Sequence, residues 1–539
     1  MTKQSFIKGA AILTVAGLSV RVVGAFFRIV LAMLITDEGV GLYQMAYPVY
    51  STLLAVSTAG IPIAISKLVA ESLAHGNYRG AYRIFQTALS LLALSGLAIS
   101  AVLFFGAQTF ARVISLDPRA YLPLISISPA IFLVTVMSAY RGFFQGQQQM
   151  LPTAISQIAE QLGRVIIALV LVMVLLPQGL EFAAAGASFG AAAGAFCGLV
   201  VLVVTWWRQK KAFMHNLTRQ GRRDVQTFPR IMYRIFALAV PITLGSLVMP
   251  IITIVDLSVV PMRLRAAGFA TSRATALYGQ LTGMASPIVH IPTIITVALA
   301  ISLVPAISEA LALGKIRLVQ DRSYIAIRMT FILGVPCALG LYLLAEPICV
   351  LLFNNAEAGS VLAVMSLGVI FLTLYQTTSA ILQGLGKTMD PVKNLFWGAV
   401  VKTSLTWTLT SWPTLHIRGA ALATVLGFSV ASLLNIYRVQ RLTGLSLQPV
   451  ETIAKPLVSA TAMGAGVLYL YGTVEPMLAT VGVEAANKVT TIISIMVGAV
   501  IYVLVMFLLG GIKREDLLLV PSIGPLLIRL AERFHILRG

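Results

Sequence analysis

Predominantly apolar segments, each long enough to cross a lipid bilayer, recur along the whole of this 539-residue chain. A helix needs about 20 such residues to span the hydrocarbon core. Because that core holds no water, every backbone N–H and C=O must find its hydrogen-bond partner within the protein, which a helix provides. The pattern predicts an all-α polytopic membrane protein with about fourteen transmembrane helices.

The predicted spans are separated by short turns that contain Gly, Pro or charged residues. Their approximate ranges are 6–34, 42–69, 84–111, 121–144, 153–176, 181–207, 235–260, 276–304, 326–352, 358–384, 394–411, 418–437, 455–475 and 489–511. None of the turns on the predicted outer side is long enough to indicate an exposed catalytic domain.

The distribution of charge predicts the orientation of the spans. The chain is 58% hydrophobic and 11% charged, with 39 Lys and Arg against 19 Asp and Glu. Most of the bases fall in alternate turns, as expected when Lys and Arg accumulate on the cytoplasmic side. This pattern places both termini in the cytoplasm. It disfavours a nucleic-acid-binding protein, whose bases would cluster on a folded polar domain.

A weak internal repeat indicates two halves. The residues PIAIS ending at Ser66 recur as PAIS ending at Ser308, and Gln145-Gly146 recurs as Gln383-Gly384. An even number of predicted spans separates the copies, so the sequence predicts two parallel pseudo-repeated lobes around a central cavity. The predicted parts are an N-lobe at 1–207, a basic cytoplasmic linker at 208–234, a C-lobe at 235–437, two additional helices at 438–515 and an amphipathic cytoplasmic tail at 516–539.

Two arginines in the first predicted span are candidates for substrate binding. Ionisable residues inside a bilayer are costly and are therefore functional candidates by default. Arg21 and Arg28 lie seven residues apart and share one helix face. Two guanidinium groups there can bind a diphosphate bidentately. The alternative is that one or both extend to the interface or pair with a carboxylate.

The fifth predicted span carries a polar stripe. Gln157, Glu160, Gln161 and Arg164 recur at helical spacing in an otherwise apolar segment, which predicts that they face a cavity. Glu160 and Arg164, at i and i+4, can also neutralise each other as a structural pair. Lys402 in the eleventh span adds a further positive charge to the predicted cavity lining.

Five residues of the seventh and eighth spans are candidates for coupling or gating: Asp256, His290, Pro250, Pro287 and Pro292. Proline in a span frees a carbonyl group and permits bending. An aspartate is a candidate cation or proton site, and a histidine titrates near neutral pH. The sequence contains no ATPase phosphate-binding loop and no zinc-protease motif. No cofactor is therefore expected, and Na⁺, H⁺ or the membrane potential is the candidate driving force.

Three long motifs closely resemble the stage V sporulation protein B family. They are EGVGLYQMAYPVYSTLLAVSTAGIPIAISKLVAE from Glu38 to Glu71, RGFFQGQQQMLPTAISQIAEQLGRV from Arg141 to Val165, and YGQLTGMASPIVHIPTIITVALAISLVPAISEA from Tyr278 to Ala310. That family belongs to the polysaccharide-transport branch of the multidrug/oligosaccharidyl-lipid/polysaccharide exporter superfamily, near the lipid II flippases. The resemblance covers nearly the whole chain.

The resemblance implies a two-lobed flippase with a cationic central cavity that takes part in peptidoglycan export. Arg21 matches the family's first arginine of helix 1, whereas Arg28 lies one residue later than its counterpart in related lipid II flippases. Those relatives also carry arginines in helices 2 and 8 that this sequence lacks. Arg141, Arg164 and Arg273 are the candidates to replace them.

The resulting hypothesis is alternating access for an undecaprenyl-diphosphate-linked peptidoglycan precursor or polysaccharide unit. The expected partners are this lipid-linked glycan, membrane lipids and cell-wall synthesis enzymes, without nucleic acid. The first alternative is a cation-coupled multidrug exporter of the same superfamily, which requires a cavity rich in carboxylates. The second is a membrane glycosyltransferase, which would expose catalytic acids or histidine in a large outer loop.

Overall fold

The computed structural model describes residues 6–58, 60–219, 227–478 and 483–511. Over these residues the regular structure is helical throughout, and it contains no strand. The described helices up to Gly279 pack into one compact unit, and those from Gln280 onward pack into a second.

The described part of the first unit contains nine α-helices. They are α1 Phe6–Thr58, α2 Ile61–Ala74, α3 Tyr78–Phe110, α4 Tyr121–Gly146, α5 Leu151–Leu175, α6 Leu180–Arg219, α7 Phe228–Ser246, α8 Val248–Ala266 and α9 Thr271–Gly279. Short π-helical or 3₁₀ turns lie at Ala111–Ser115, Pro118–Ala120 and Leu176–Gln178.

The described part of the second unit contains ten α-helices. They are α10 Ser286–His290, α11 Thr293–Ala312, α12 Ile316–Leu343, α13 Ala345–Phe353, α14 Glu357–Ser366, α15 Gly368–Gly384, α16 Met389–Leu409, α17 His416–Thr443, α18 Lys455–Leu478 and α19 Val483–Leu508. π-Helical turns at Gln280–Ala285 and Val450–Ala454 precede α10 and α18.

Every predicted span overlaps one or more of these helices. Eleven helical stretches of the described residues are long and apolar enough to cross a membrane, or twelve if the bent pair α14–α15 forms one span. The first stretch, Ile12–Ala74, covers the first and second predicted spans together. α16, which covers the eleventh predicted span and carries Lys402, is not among them. The all-α, multi-span prediction is confirmed, and the count of about fourteen stays a prediction.

Two of the predicted spans are interrupted near the candidate gating prolines. The seventh is divided at Leu247 into α7 and α8, three residues before Pro250. A proline ring offers no N–H to the carbonyl four residues earlier, here that of Ser246, and crowds it. The eighth is divided into α9, a π-helical turn, α10 and α11, with Pro287 in the first turn of α10 and Pro292 directly before α11. Both spans are therefore broken helices.

The predicted basic linker at 208–234 is helical over much of its described length. α6 continues to Arg219, and α7 begins at Phe228. Phe213 anchors the extension of α6, because its ring packs against the rings of Tyr78 and Trp206. Residues 220–226 and the predicted tail at 516–539 lie outside the described residues. α7, α8 and α9 pack against helices of the first unit, and the predicted lobe boundaries stay a prediction.

The two copies of the internal repeat form the same kind of helix contact in each unit. In the first unit, a Cβ on Gly146 of α4 would lie 2.8 Å from the carbonyl oxygen of Ser66 in α2. In the second unit, a Cβ on Gly384 of α15 would lie 2.8 Å from Ile307 Cβ in α11. Ser308 Oγ also donates a hydrogen bond to the Gly384 carbonyl oxygen at 2.9 Å. The repeated motifs are thus the two sides of one close helix crossing, where small residues let backbones approach.

A buried carboxylate lies beside the bend of α1. Thr36 interrupts that helix with φ 58° and ψ −179°, a conformation that costs a non-glycine residue about 1–3 kcal/mol. Asp117, in the connection between α3 and α4, accepts hydrogen bonds from Arg119 Nη2 at 2.8 Å and from Thr275 Oγ1 of α9 at 2.7 Å. Arg119 Nη1 donates to Glu38 Oε1 at 2.6 Å. The network joins α1, the α3–α4 connection and α9.

Two opposing effects act on the pKa of the Asp117 carboxyl group. Burial raises it, whereas the hydrogen bonds from Arg119 and Thr275 lower it, and the net result is a pKa below the ordinary value. A lowered carboxyl pKa stabilises the folded state at pH values above the unfolded-state pKa. That stabilisation is lost as the pH falls through the folded-state pKa.

We expect Asp117→Asn to lower the unfolding free energy at neutral pH by about 3 kcal/mol, because it removes the anionic acceptor of charge-assisted hydrogen bonds. The wild type should lose stability on acidification to about pH 4 and below, and the variant should lose less. Thermal unfolding of the two purified proteins across this pH range measures both effects. Equal acid sensitivity of the two proteins would contradict the assignment.

We expect Gly384→Ala to lower the unfolding free energy by about 1–3 kcal/mol, because the added methyl group overlaps Ile307. Gly472→Ala in α18 is the matched control, since nothing lies within 4 Å of the Cβ position there. Helix propensity predicts a small gain for the control. Thermal unfolding in detergent compares the two variants, and identical midpoints would mean that the close crossing is unimportant.

Candidate substrate-binding site

Two arginines surround one carboxylate between α4 and α5. Glu160 of α5 accepts a hydrogen bond from Arg141 Nη2 of α4 at 2.9 Å through Oε2, and from Arg164 Nη2 at 3.1 Å through Oε1. Arg141 also donates from Nε and Nη2 to Ser156 Oγ, at 3.1 and 2.7 Å. Arg141, Ser156, Glu160 and Arg164 are called the arginine cluster below.

The local sequence explains how these side chains meet. α4 ends at Gly146 and α5 begins at Leu151, so a short connection makes the two helices a hairpin. The last turns of α4 therefore lie beside the first turns of α5, which brings Arg141 close to Ser156. On α5, residues four apart share one helix face, and Ser156, Glu160 and Arg164 follow that spacing.

The cluster carries more positive than negative charge. The side chains of Arg141, Glu160 and Arg164 are each 16% exposed. Two guanidinium groups share one carboxylate, so one positive charge is left uncompensated within the cluster. Burying charge in this way is costly unless the charge is paired and hydrogen-bonded. An excess of positive charge at such a place is therefore a candidate site for an anion.

Two polar atoms at the cluster have no hydrogen-bond partner within the described part of the chain. They are Nε of Arg164 and Oε1 of the neighbouring Gln157, and both are buried. Buried polar groups in native proteins are almost always satisfied by protein, water or an ion. The unused donor and acceptor indicate that this region can form further hydrogen bonds with a polar ligand.

Three tyrosines of α1 lie next to the cluster. Arg164 interacts electrostatically with all of them, namely Tyr43, Tyr47 and Tyr50. The ring centroids of Tyr43 and Tyr47 are 6.4 Å apart, and those of Tyr47 and Tyr50 are 5.8 Å apart. Tyrosine combines an apolar ring with a hydroxyl group, so this stretch of α1 adds both kinds of contact to the site.

The two arginines predicted as a clamp lie on the part of α1 that packs against α5. A Cβ on Gly24 would lie 3.2 Å from Gln161 Nε2. Arg21 and Arg28, three residues before and four residues after Gly24, share its helix face and are both exposed. Arg28 interacts electrostatically with Tyr43, as Arg164 does. The structure thus brings Arg28 and Arg164 to the same tyrosine, and the clamp itself stays a prediction.

The other predicted residues lie outside the arginine cluster. Asp256 is half-buried in α8, and Pro250 lies in the first turn of that helix. His290 is exposed at the end of α10. Lys402 is half-buried in α16. A Cβ added to Gly427 of α17 would lie 2.7 Å from the Cβ of Lys402. Their roles in coupling, gating or cavity lining stay predictions. The described residues hold no group of three His, Cys, Asp or Glu side chains that could bind a metal ion.

Sequence reasoning found part of this site and missed part of it. The polar stripe of α5 was predicted, and the structural pairing of Glu160 with Arg164 is present. The sequence indicates Arg141 only as a replacement charge and does not predict its bond to Glu160. The turn after Gly146 is the available signal, because a hairpin brings Arg141 beside Ser156, which lies at an equal distance from the turn and one helical turn before Glu160. The tyrosines were missed because an aromatic residue in an apolar run is usually part of the core.

Comparison with known proteins establishes the family of this chain. The polysaccharide biosynthesis protein family matches residues 6–311, and the MatE family matches residues 281–408. Stage V sporulation protein B of Bacillus subtilis (strain 168) is 32% identical over 98% of this chain and 100% of its own length. The chain belongs to the stage V sporulation protein B family. The resemblance in the three long motifs is thereby confirmed.

This stage V sporulation protein B family member also has more distant relatives. Lipid II flippase MurJ of Bacillus subtilis (strain 168) is 26% identical over 95% of this chain and 96% of its own length. A solved structure of lipid II flippase MurJ in an inward closed conformation has a TM-score of 0.67 at 15% identity, covering 92% of this chain and 98% of that one. An inward-facing multidrug resistance MATE family transporter of the MOP superfamily has a TM-score of 0.65 at 15% identity, covering 80% and 99%. This protein, a member of the stage V sporulation protein B family, is therefore a multi-pass membrane protein with the fold of the MOP superfamily.

We expect Glu160→Gln to lower the unfolding free energy by about 2–4 kcal/mol, because it leaves two partly buried guanidinium groups without their shared counter-charge. Arg141→Gln/Glu160→Gln should cost less than the sum of the single changes, with a coupling energy of about 1–3 kcal/mol. Thermal unfolding of the wild type, both single variants and the double variant completes this cycle. Strictly additive effects would mean that the ion pair contributes nothing to stability.

Proposed function

We propose that this protein is a flippase that moves a lipid-linked oligosaccharide across the cytoplasmic membrane. One observation carries the proposal: the arginine cluster places an excess of positive charge among helices that are apolar enough to span a bilayer. Charge at such a place is retained when a polar or charged passenger uses it. The named relatives, a lipid II flippase and a multidrug transporter, support transport rather than a covalent reaction.

The proposed substrate is a glycan on a lipid diphosphate, with undecaprenyl diphosphate carrying a peptidoglycan precursor or polysaccharide unit as the candidate. The name of the MurJ relative supports this choice. Guanidinium groups bind phosphate oxygens bidentately, and Arg141 and Arg164 supply two of them. Arg21 and Arg28 of α1 supply two more. The lipid tail stays in the bilayer, because moving it into water would expose its apolar surface.

The proposed mechanism is alternating access, with both chain termini in the cytoplasm. The diphosphate and glycan bind from the cytoplasmic side and are released on the outer side. The breaks at Thr36, Leu247 and Pro292 are the points where spans can bend, because the regular helical hydrogen bonds of the backbone are already interrupted there.

Asp256 and His290 are the candidate coupling residues, with Na⁺, H⁺ or the membrane potential as the driving force. Cell-wall synthesis enzymes are the proposed partners on either side of the transport step.

Export of cationic drugs, the alternative within the superfamily, is disfavoured by the charge of the site. A cation needs a carboxylate whose charge is available. Glu160 is already bound by two arginines. Drug-resistance profiles of a strain that overproduces the protein separate the two functions, since only an exporter raises resistance to several unrelated cations.

We expect Arg164→Gln to slow flipping of a fluorescent lipid-linked glycan in proteoliposomes by about tenfold or more, because a charge-assisted bond to the diphosphate is lost. Arg21→Ala tests the clamp of α1 in the same assay. Arg208→Gln, at an exposed position in the last third of α6, is the matched control and should flip at the wild-type rate. Absence of flipping by the wild type would refute the function, and a wild-type rate for Arg164→Gln would refute the site.

A further inference from the structure

We propose that two glutamines of α5 and one tyrosine of α1 form a subsite for the sugar of the ligand, beside the arginine cluster. The proposal rests on the proposed function and assigns the glycan its own place. The three residues are Gln157, Gln161 and Tyr47, and they are called the sugar subsite below. None of them carries a charge at neutral pH, so they recognise a different part of the ligand from the part that the arginines attract.

Gln157 supplies an acceptor that an anion cannot use. Its Oε1 is buried and accepts no hydrogen bond within the described residues. Such an atom in a native protein is satisfied by water or by a ligand. A ligand that displaces the water loses affinity unless it donates an N–H or O–H group in its place. Ionised phosphate oxygens only accept hydrogen bonds, so the donor must come from another part of the ligand.

The geometry of α5 places this acceptor next to the cluster. Gln157 and Arg164 are seven residues apart and share one helix face, with Glu160 between them. Side chains on a helix lean toward its N-terminus, and Arg164 reaches back in this way to bond Glu160 at 3.1 Å. A ligand whose anionic part contacts Arg164 can therefore extend along the same face to Gln157.

Gln161 adds a second amide, where α5 meets α1. Its side chain is 8% exposed, and a Cβ on Gly24 of α1 would lie 3.2 Å from its Nε2. Gln157 and Gln161, at i and i+4, are neighbours on the helix surface. An amide side chain offers both donors and an acceptor. It therefore matches sugar hydroxyl groups, each of which donates and accepts.

Tyr47 supplies an apolar surface for the sugar ring. Its neighbours Tyr43 and Tyr50 are 9% and 3% exposed, whereas Tyr47 is half-buried and keeps part of its side chain accessible. Tyr47 also interacts electrostatically with Arg164, so it lies beside the cluster. A pyranose ring has C–H groups on its faces and hydroxyl groups at its edge. It matches a site that combines an aromatic ring with a few polar groups.

The sugar subsite separates a lipid diphosphate with a sugar from the same lipid diphosphate without one. A site built to hydrogen-bond a ligand rejects an analogue that lacks the bonding groups, because the polar atoms of the site are then left unpaired. The arginine cluster meets the same diphosphate in both ligands. Its contribution therefore cancels in the ratio of their affinities, and the ratio measures the sugar subsite.

Two short-chain probes of equal charge test the proposal. Farnesyl-diphosphoryl-N-acetylglucosamine offers O–H and N–H donors, and the methyl ester of farnesyl diphosphate offers none, while both carry two negative charges. Their dissociation constants are measured by calorimetry on the purified full-length protein in detergent. We expect the wild type to bind the sugar probe about tenfold or more tightly than the methyl probe.

Gln157→Leu should reduce this preference by about threefold or more, because a hydrogen bond to the sugar is lost. Its thermal unfolding midpoint should be no lower than that of the wild type, since Oε1 has no bond to lose within the described residues. Tyr47→Leu should also reduce the preference, whereas Tyr47→Phe should retain it, because phenylalanine keeps the aromatic ring. Gln86→Leu, at an exposed position of α3, is the matched control and should keep the wild-type preference.

The proposal is overturned by a wild type that binds the two probes equally or binds neither of them. It is also overturned by an unchanged preference in Gln157→Leu or Tyr47→Leu, or by a loss of stability in Gln157→Leu, which would assign that residue a structural role. The proposed function is decided separately, by flipping of the lipid-linked glycan by the wild type. A wild type that prefers the sugar probe and does not flip the glycan refutes the function and leaves the sugar subsite standing.

Discussion

The absence of water from the hydrocarbon core of a bilayer is the constraint on which this architecture depends. Each backbone polar group of a spanning segment must be bonded within the protein, and the described residues meet this demand with helices alone. The helices of the spans are interrupted at a few places, such as Leu247 before Pro250 and the stretch between α9 and α11 that ends at Pro292. At these places the backbone has lost regular bonds, so they are the natural positions for spans to bend.

In lipid, apolar side chains gain little by leaving one apolar surface for another, so helices associate through close packing and a small number of polar contacts. Gly146 and Gly384 show the first kind of contact, because a Cβ at either position would lie 2.8 Å from an atom of the facing helix and force a neighbour to shift. Asp117 shows the second, since its carboxylate joins Arg119 to Thr275 of another helix. The internal repeat persists at the glycine crossings because backbone approach leaves few acceptable residues there.

The arginine cluster is a polar contact between helices of this second kind, and it is also a candidate functional site. Glu160 makes two arginines tolerable in an apolar hairpin and leaves one positive charge in excess. A site built in this way is stable when empty and still attracts an anion. That balance suits a transporter, which must bind its passenger and then release it, because a site whose positive charges were all uncompensated would hold an anionic passenger too tightly for turnover.

The amino-acid sequence alone determined the fold class, the approximate positions of the long helices, the internal repeat, the family and the polar face of α5. These properties follow from local hydropathy and from residues at fixed spacing along one helix. Only the tertiary structure decided which partners those residues have. The bond of Arg141 to Glu160, the tyrosines beside Arg164 and the joining of Asp117 to Thr275 all depend on how separate helices pack. Hydropathy indicates that a helix lies in the membrane, but it does not indicate which face of the helix packs against which neighbouring helix.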